Sequence, residues 1–276
     1  MFTRASIFTG CAAVAALALP YVERKNPLTD TASADAIQSA AIGEVRHLEL
    51  QGGSHVDLNT GSQIHTRVES GGRVVVLTRG EARFRVASRD RVAFFVLAGN
   101  ASMQSADADF SVRLLDSSQL DVLVASGRVD ISVAAAPAAG FRLLPPVTVT
   151  ASAGEAILLR SGAVSARQKL SPAAVQRRTA WTDGWIWFAA EPLPQAIAEF
   201  NRYHEQQLVL VDPRLASLEI GGRFRSTDLR SFIATLEHSF DVRTAVAGVP
   251  GARAETIYLT ERCSRALQQC NWPLVQ

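Results

Sequence analysis

Five histidines, three cysteines and four tryptophans are the residues with which this chain could do specialised chemistry or anchor a partner. His47, His55 and His65 are eight and ten residues apart on early strands or loops. That spacing fits no compact ligand motif such as H-E-x-x-H, so no metal is expected there. His204 and His238 fall at the ends of separate helical patterns, where a polar residue is the ordinary choice. No G-x-S-x-G, Walker-type loop or G-x-G-x-x-G after a strand occurs, so neither catalysis nor a cofactor is expected. Cys263 and Cys270 could bridge in an oxidising compartment, and two unpaired thiols fit the spacing equally well. The cluster Trp181, Trp185, Trp187 and Phe188 is the densest aromatic feature. Strand alternation puts the three tryptophans on one face and Phe188 on the other, with core packing expected for most of them.

The elements that must position these residues divide the chain. With 276 residues, 47% of them hydrophobic, two domains with separate cores are expected. Lys plus Arg (28) nearly balances Asp plus Glu (26), which excludes the basic field of a nucleic-acid binder. Ala5 to Val22 carries no charge and follows Arg4. It reads either as a membrane anchor or as a signal peptide with the small-x-small site Ala16-Leu17-Ala18, and both readings export the remainder.

Residues 23–42 are rich in Thr, Ser, Ala and Asp and read as a tether, with the folded part starting near Gly43. Residues 43–167 show short alternating or continuous apolar runs, such as Arg73 to Leu77, Ala82 to Val86 and Phe110 to Leu114, broken by Gly-containing turns. This predicts an all-β domain, a sandwich or a solenoid-like stack, with Phe84, Val86, Phe110 and Val112 inward and Arg83, Arg85, Ser111 and Arg113 toward solvent. Ala134 to Pro146 reads as a long surface loop, and 168–180 as a linker. Residues 181–262 predict a smaller α+β domain of order β-α-β-β-α-β-β, two helices on one face of a small sheet, followed by a tail over 263–276. Asp228 sits where the second helix needs an N-cap.

The run Val75-Val76-Leu77-Thr78-Arg79-Gly80-Glu81-Ala82-Arg83-Phe84-Arg85-Val86, then Phe94 to Gly99, Phe110-Ser111-Val112 and Val122 to Val129, resembles the FecR family. Arg178 to Gly184, Pro192-Leu193, Glu199 to Tyr203 and Gly221 to Phe224 are similar to that family's C-terminal segment, itself similar to the short N-terminal domain of secretins and TonB-dependent receptors. The resemblance implies an inner-membrane-anchored regulator with periplasmic domains. It would bind the signalling domain of a TonB-dependent outer-membrane receptor and relay to an extracytoplasmic-function sigma factor.

Interface candidates are Trp187, Arg202, Tyr203, Arg223 and Phe224. Two departures stand out. Ala106-Asp107-Ala108-Asp109 replaces the Gly-Thr that family members commonly carry before the Phe-x-Val strand, and only four residues precede Ala5, where the family places a cytoplasmic anti-sigma helix. The sigma-binding part is therefore expected upstream or in another chain, unless this is a periplasmic relative with another role. The alternative function is an envelope scaffold or glycan-binding β-protein.

Overall fold

The computed structural model describes residues 30–31, 36–69, 72–87, 93–116, 118–133, 147–247 and 255–261. The first domain begins with β1 (Asp30–Thr31), β2 (Ala36–Ser39), β3 (Arg46–Glu49), β4 (His55–Leu58), β5 (Gln63–Glu69), β6 (Gly72–Arg79) and β7 (Glu81–Val86). It continues with β8 (Phe94–Ala98), β9 (Ala101–Ser105), β10 (Ala108–Leu114), β11 (Gln119–Val133), β12 (Val147–Ser152), β13 (Glu155–Arg160) and β14 (Ala163–Lys169). Next come α1 (Pro172–Thr179), a 3-10 turn over Ala180–Asp183, β15 (Trp185–Pro192), α2 (Leu193–Asn201) and β16 (Gln207–Leu210). A second 3-10 turn over Pro213–Ser217 precedes β17 (Glu219–Arg225), α3 (Leu229–Ser239), β18 (Val242–Ala247) and β19 (Thr256–Glu261).

The expected mainly-β fold with a smaller α+β part is what forms, the strands of the first domain being shared between two sheets. One sheet runs β1-β3-β4-β7-β10-β11-β13-β14 and the other β2-β5-β6-β8-β9-β11-β12. The 15-residue β11 belongs to both. Its first half pairs with β10 and β13, and its second half with β9 and β12. The crossing point is Gly127, at φ +77°, where a Cβ would stand 2.4 Å from the Asp107 carbonyl oxygen. Only glycine tolerates both the dihedral and the approach. Phe84 of one sheet meets Phe94 of the other at 6.1 Å and Phe110 beside it at 5.3 Å, all fully buried. Each such ring contributes roughly 2–3 kcal/mol by leaving water.

The second domain follows the expected element order. Asp228 caps α3, accepting a hydrogen bond from the Ser231 amide at 3.0 Å. Phe200, Phe232 and Phe188 form its core, with Phe200 and Phe232 stacked at 4.0 Å.

Four expectations are corrected. The single small sheet is in fact two, a β15-β17 ribbon and a β16-β19-β18 sheet, because amphipathic patterns do not specify which strands pair. The tether includes β2, paired with β5. Ile37, its one large apolar side chain, is 65% exposed, so no apolar alternation announced the strand. The linker contains the end of β14 and then α1, capped by Ser171 and entered through Pro172; its polar surface hid the helix. Trp181 lies in the 3-10 turn rather than on the strand. Trp185 and Trp187 do share a face, but the core side of β15 is that of Ile186 and Phe188.

The N-terminal apolar segment, the 134–146 loop, Cys263, Cys270 and the tail lie outside the described residues. Among the described residues no helix is long and apolar enough to cross a membrane.

Candidate interdomain site

The outward face of the first sheet, read from sequence as solvent-facing, is where the second domain docks. Register places Glu81 of β7, Arg113 of β10 and Asp121 of β11 side by side in one row across three strands. The row alternates in sign, and the second half of the chain answers each member with the opposite charge. Glu81 binds Arg202 at 2.8 Å, Arg113 binds Glu199 at 3.1 Å and Asp121 binds Arg178. Arg202, at the C-terminal end of α2, also reaches back to Glu199 at 2.6 Å, so one guanidinium joins both carboxylates. The next row of the face is Arg83, Ser111 and Leu123. Arg83 chelates Asp109 at 2.8 and 2.7 Å and donates to the Thr182 hydroxyl at 3.3 Å, while Ser111 and Leu123 are buried.

The turn after β4 completes the contact. Asn59 donates to the Glu81 carboxylate at 2.9 Å. The Thr60 hydroxyl accepts from the Gly43 amide at 2.8 Å and donates to the Arg202 carbonyl at 2.9 Å. Burial alone would raise the Glu81 pKa, but Arg202, Arg113 and the hydrogen bonds from Arg202 and Asn59 outweigh it and hold the carboxyl below its ordinary value. Asp121 goes the other way, raised by burial despite Arg178. Tyr203 is 2% exposed, and burial, with Glu199 and Glu81 nearby, pushes its hydroxyl up.

These signs define a pH prediction. The folded pKa of Glu81 lies below its reference 4.5, so its contribution is fully present above 4.5 and is lost as pH falls through the lower folded value. Asp121, being raised, opposes stability at neutral pH and relaxes on acidification. Chemical-denaturation midpoints of the wild type and Glu81→Gln are therefore expected to differ by a constant amount from about pH 7 to about pH 5 and to converge in stronger acid. A gap that opened on acidification would contradict the assignment.

Of the interface candidates, Arg202 and Tyr203 are placed inside this interdomain contact and Phe224 packs on Phe200 and Phe232. Trp187 and Arg223 face outward on the β15-β17 ribbon, as register partners. Trp181, Trp185 and Trp187 line a cleft of about 250 Å³ between the domains, together with Arg113, Arg177 and Arg178. Sequence alone does not single out Arg113, Asp121, Arg178 and Glu199 as interface residues, since the row Glu81, Arg113 and Asp121 aligns only once three strands are in register. Of the early histidines, His47 binds Asp57 at 2.7 Å. Among the described residues no three His, Cys, Asp or Glu side chains are grouped to hold a metal ion.

Fold and site together define a two-domain, mainly-β module organised around an ionic contact between its halves. Residues 35–130, within the first domain, match the family model described as FecR protein. No curated protein matches the chain. Two crystal structures titled as a "putative anti-sigma factor" from Parabacteroides distasonis ATCC 8503, at 1.65 and 2.50 Å resolution, share the fold. Each is 22% identical with a TM-score of 0.62, and the match covers 82% of this chain and 99% or 98% of that one. The likeness thus extends over both domains.

Proposed function

We propose that this chain is a sensor and regulator of the anti-sigma type in cell-surface signalling. On this reading it is anchored in the inner membrane by residues 1–22 with its domains in the periplasm, and it binds the signalling domain of a TonB-dependent outer-membrane receptor. Through that binding it regulates an extracytoplasmic-function sigma factor. The observation that carries the proposal is that both domains, the first domain and the α+β domain docked on it, are shared with a protein titled as an anti-sigma factor.

The ionic contact suits a relay. Polar interdomain interfaces permit relative motion, so this row of paired charges could open to water if the second domain were drawn away. Binding to the α+β domain would be felt at Arg202 and Glu199, and hence at Glu81 and Arg113 of the first domain. The test is calorimetric titration of the full chain with the signalling domain of a co-encoded receptor. Micromolar or tighter binding is the expected result. No binding to any such domain, with cosedimentation on isolated cell wall instead, would favour an envelope scaffold.

A further inference from the structure

We infer that the outward face of the β15-β17 ribbon is the docking surface, and that it takes an extended segment carrying carboxylates. The inference rests on the receptor reading only for the identity of the protein that supplies the segment.

Register pairs Trp185 with Arg225 and Trp187 with Arg223, and all four point away from Ile186, Phe188 and the core. Both guanidiniums stack on the Trp185 ring, Arg223 at 4.1 Å and Arg225 at 3.9 Å from its centroid. Stacking on an aromatic face fixes the plane of a guanidinium and leaves its N–H edge directed outward. Neither arginine makes an ion pair among the described residues, and the weak contact of Arg225 is to the Asp183 carbonyl at 3.4 Å. By contrast Arg113, Arg178 and Arg202 are each neutralised by a carboxylate. The face therefore offers two exposed cations with no ion pair among the described residues, beside two half-buried indoles that border the interdomain cleft, and charge complementarity selects an anionic partner.

Backbone geometry selects an extended one. Strands β15 and β17 pair only with each other, so β17 keeps a second edge unpaired among the described residues. Toward the other end, Ala189, Ala190, Gly221 and Gly222 are exposed and carry almost no side chain, with Ala190 at φ +66° where the ladder bulges. A strand added along β17 could approach this bare end closely and lay alternate side chains on the arginines.

The experiment uses the full chain and a synthetic peptide of about ten alternating Glu and Val residues, with a Lys-Val peptide as control. Intrinsic tryptophan emission is the readout. Saturable binding of the Glu-Val peptide is expected, weakening with salt, falling at least about tenfold in Arg223→Glu/Arg225→Glu, and less in the Lys double variant, which keeps charge but loses the fork. Arg243→Glu, exposed on β18, is expected to bind as wild type. Wild-type affinity in the Arg223→Glu/Arg225→Glu protein overturns the inference. So does arginine-dependent binding to anionic phospholipid vesicles with none to the peptide. The receptor signalling domain is titrated in parallel. If it binds wild type and the double charge reversal equally, this surface is wrong and the receptor reading stands. If it fails to bind while the peptide binds through the arginines, the surface stands and the receptor reading falls.

Discussion

Replacing Arg202 with alanine is expected to destabilise the two-domain unit by about 3 kcal/mol, because it strands a buried carboxylate. Glu81 is 7% exposed, and without Arg202 it keeps only the Asn59 amide and the neighbouring Arg113. Glu199 loses one of its two cations as well, and the α2 end loses part of its tie to the first domain. An exposed pair would be worth less than about 1 kcal/mol, so the size of the loss separates the two cases. Denaturant unfolding followed by far-UV circular dichroism reads it.

Two companions sharpen the result. Arg202→Lys is expected to recover only part of the loss, because an ammonium cannot bridge Glu81 and Glu199 with the paired N–H geometry of a guanidinium. Glu81→Gln in the Arg202→Ala background is expected to restore some stability by removing the stranded charge. If that second change were additive rather than compensating, Arg202 and Glu81 would not be acting as a pair.

Phe200→Ala is expected to cost about 4 kcal/mol, and to cost it in the second domain. Phe200 is fully buried, stacked on Phe232 at 4.0 Å and edge-on to Phe224 at 5.9 Å, with Phe188 at 6.1 Å. Removing the ring opens a cavity at the point where both helices meet the β15-β17 ribbon. The first domain has its own core around Phe84, Phe94 and Phe110, which shares no residue with this one. The domains also report separately. Trp185 and Trp187 lie on β15 and Trp181 in the turn before it, so their emission follows the second domain and its cleft while circular dichroism follows the strands of both. The tryptophan transition is expected to shift to much lower denaturant, with most of the β signal persisting beyond it. Coincident transitions shifted together would mean that the ionic contact couples the domains more strongly than their separate cores imply.

Much of the architecture follows from local pattern. The element order of the second domain is legible because each piece has its own short-range cause: the apolar stripe Leu193, Ile197 and Phe200 in α2, the stripe Leu229, Phe232 and Leu236 in α3, and the Asp228 cap. In the first domain, alternation in β7 and β10 puts Phe84, Val86, Phe110 and Val112 in the core, as expected. Elements without an apolar signature were lost. Ala36–Ser39 exists as a strand because β5 offers it an edge, and Pro172–Thr179 forms a helix through its cap, its proline and its place between the domains.

The interface candidates divide along the same line. Residue type alone pointed to Trp187, Arg202, Tyr203, Arg223 and Phe224, and tertiary structure sends them to three places: the ionic contact, the second core and the open ribbon face. Alternation tells that Arg83, Ser111 and Arg113 leave the core of the first domain, but it carries no information about what they meet outside it. Whether that face meets water or a second domain depends on docking between segments some hundred residues apart. The pairing of Glu81 with Arg202, and the exposure of Arg223 and Arg225, are consequences of that docking and of strand register, which short-range periodicity does not encode.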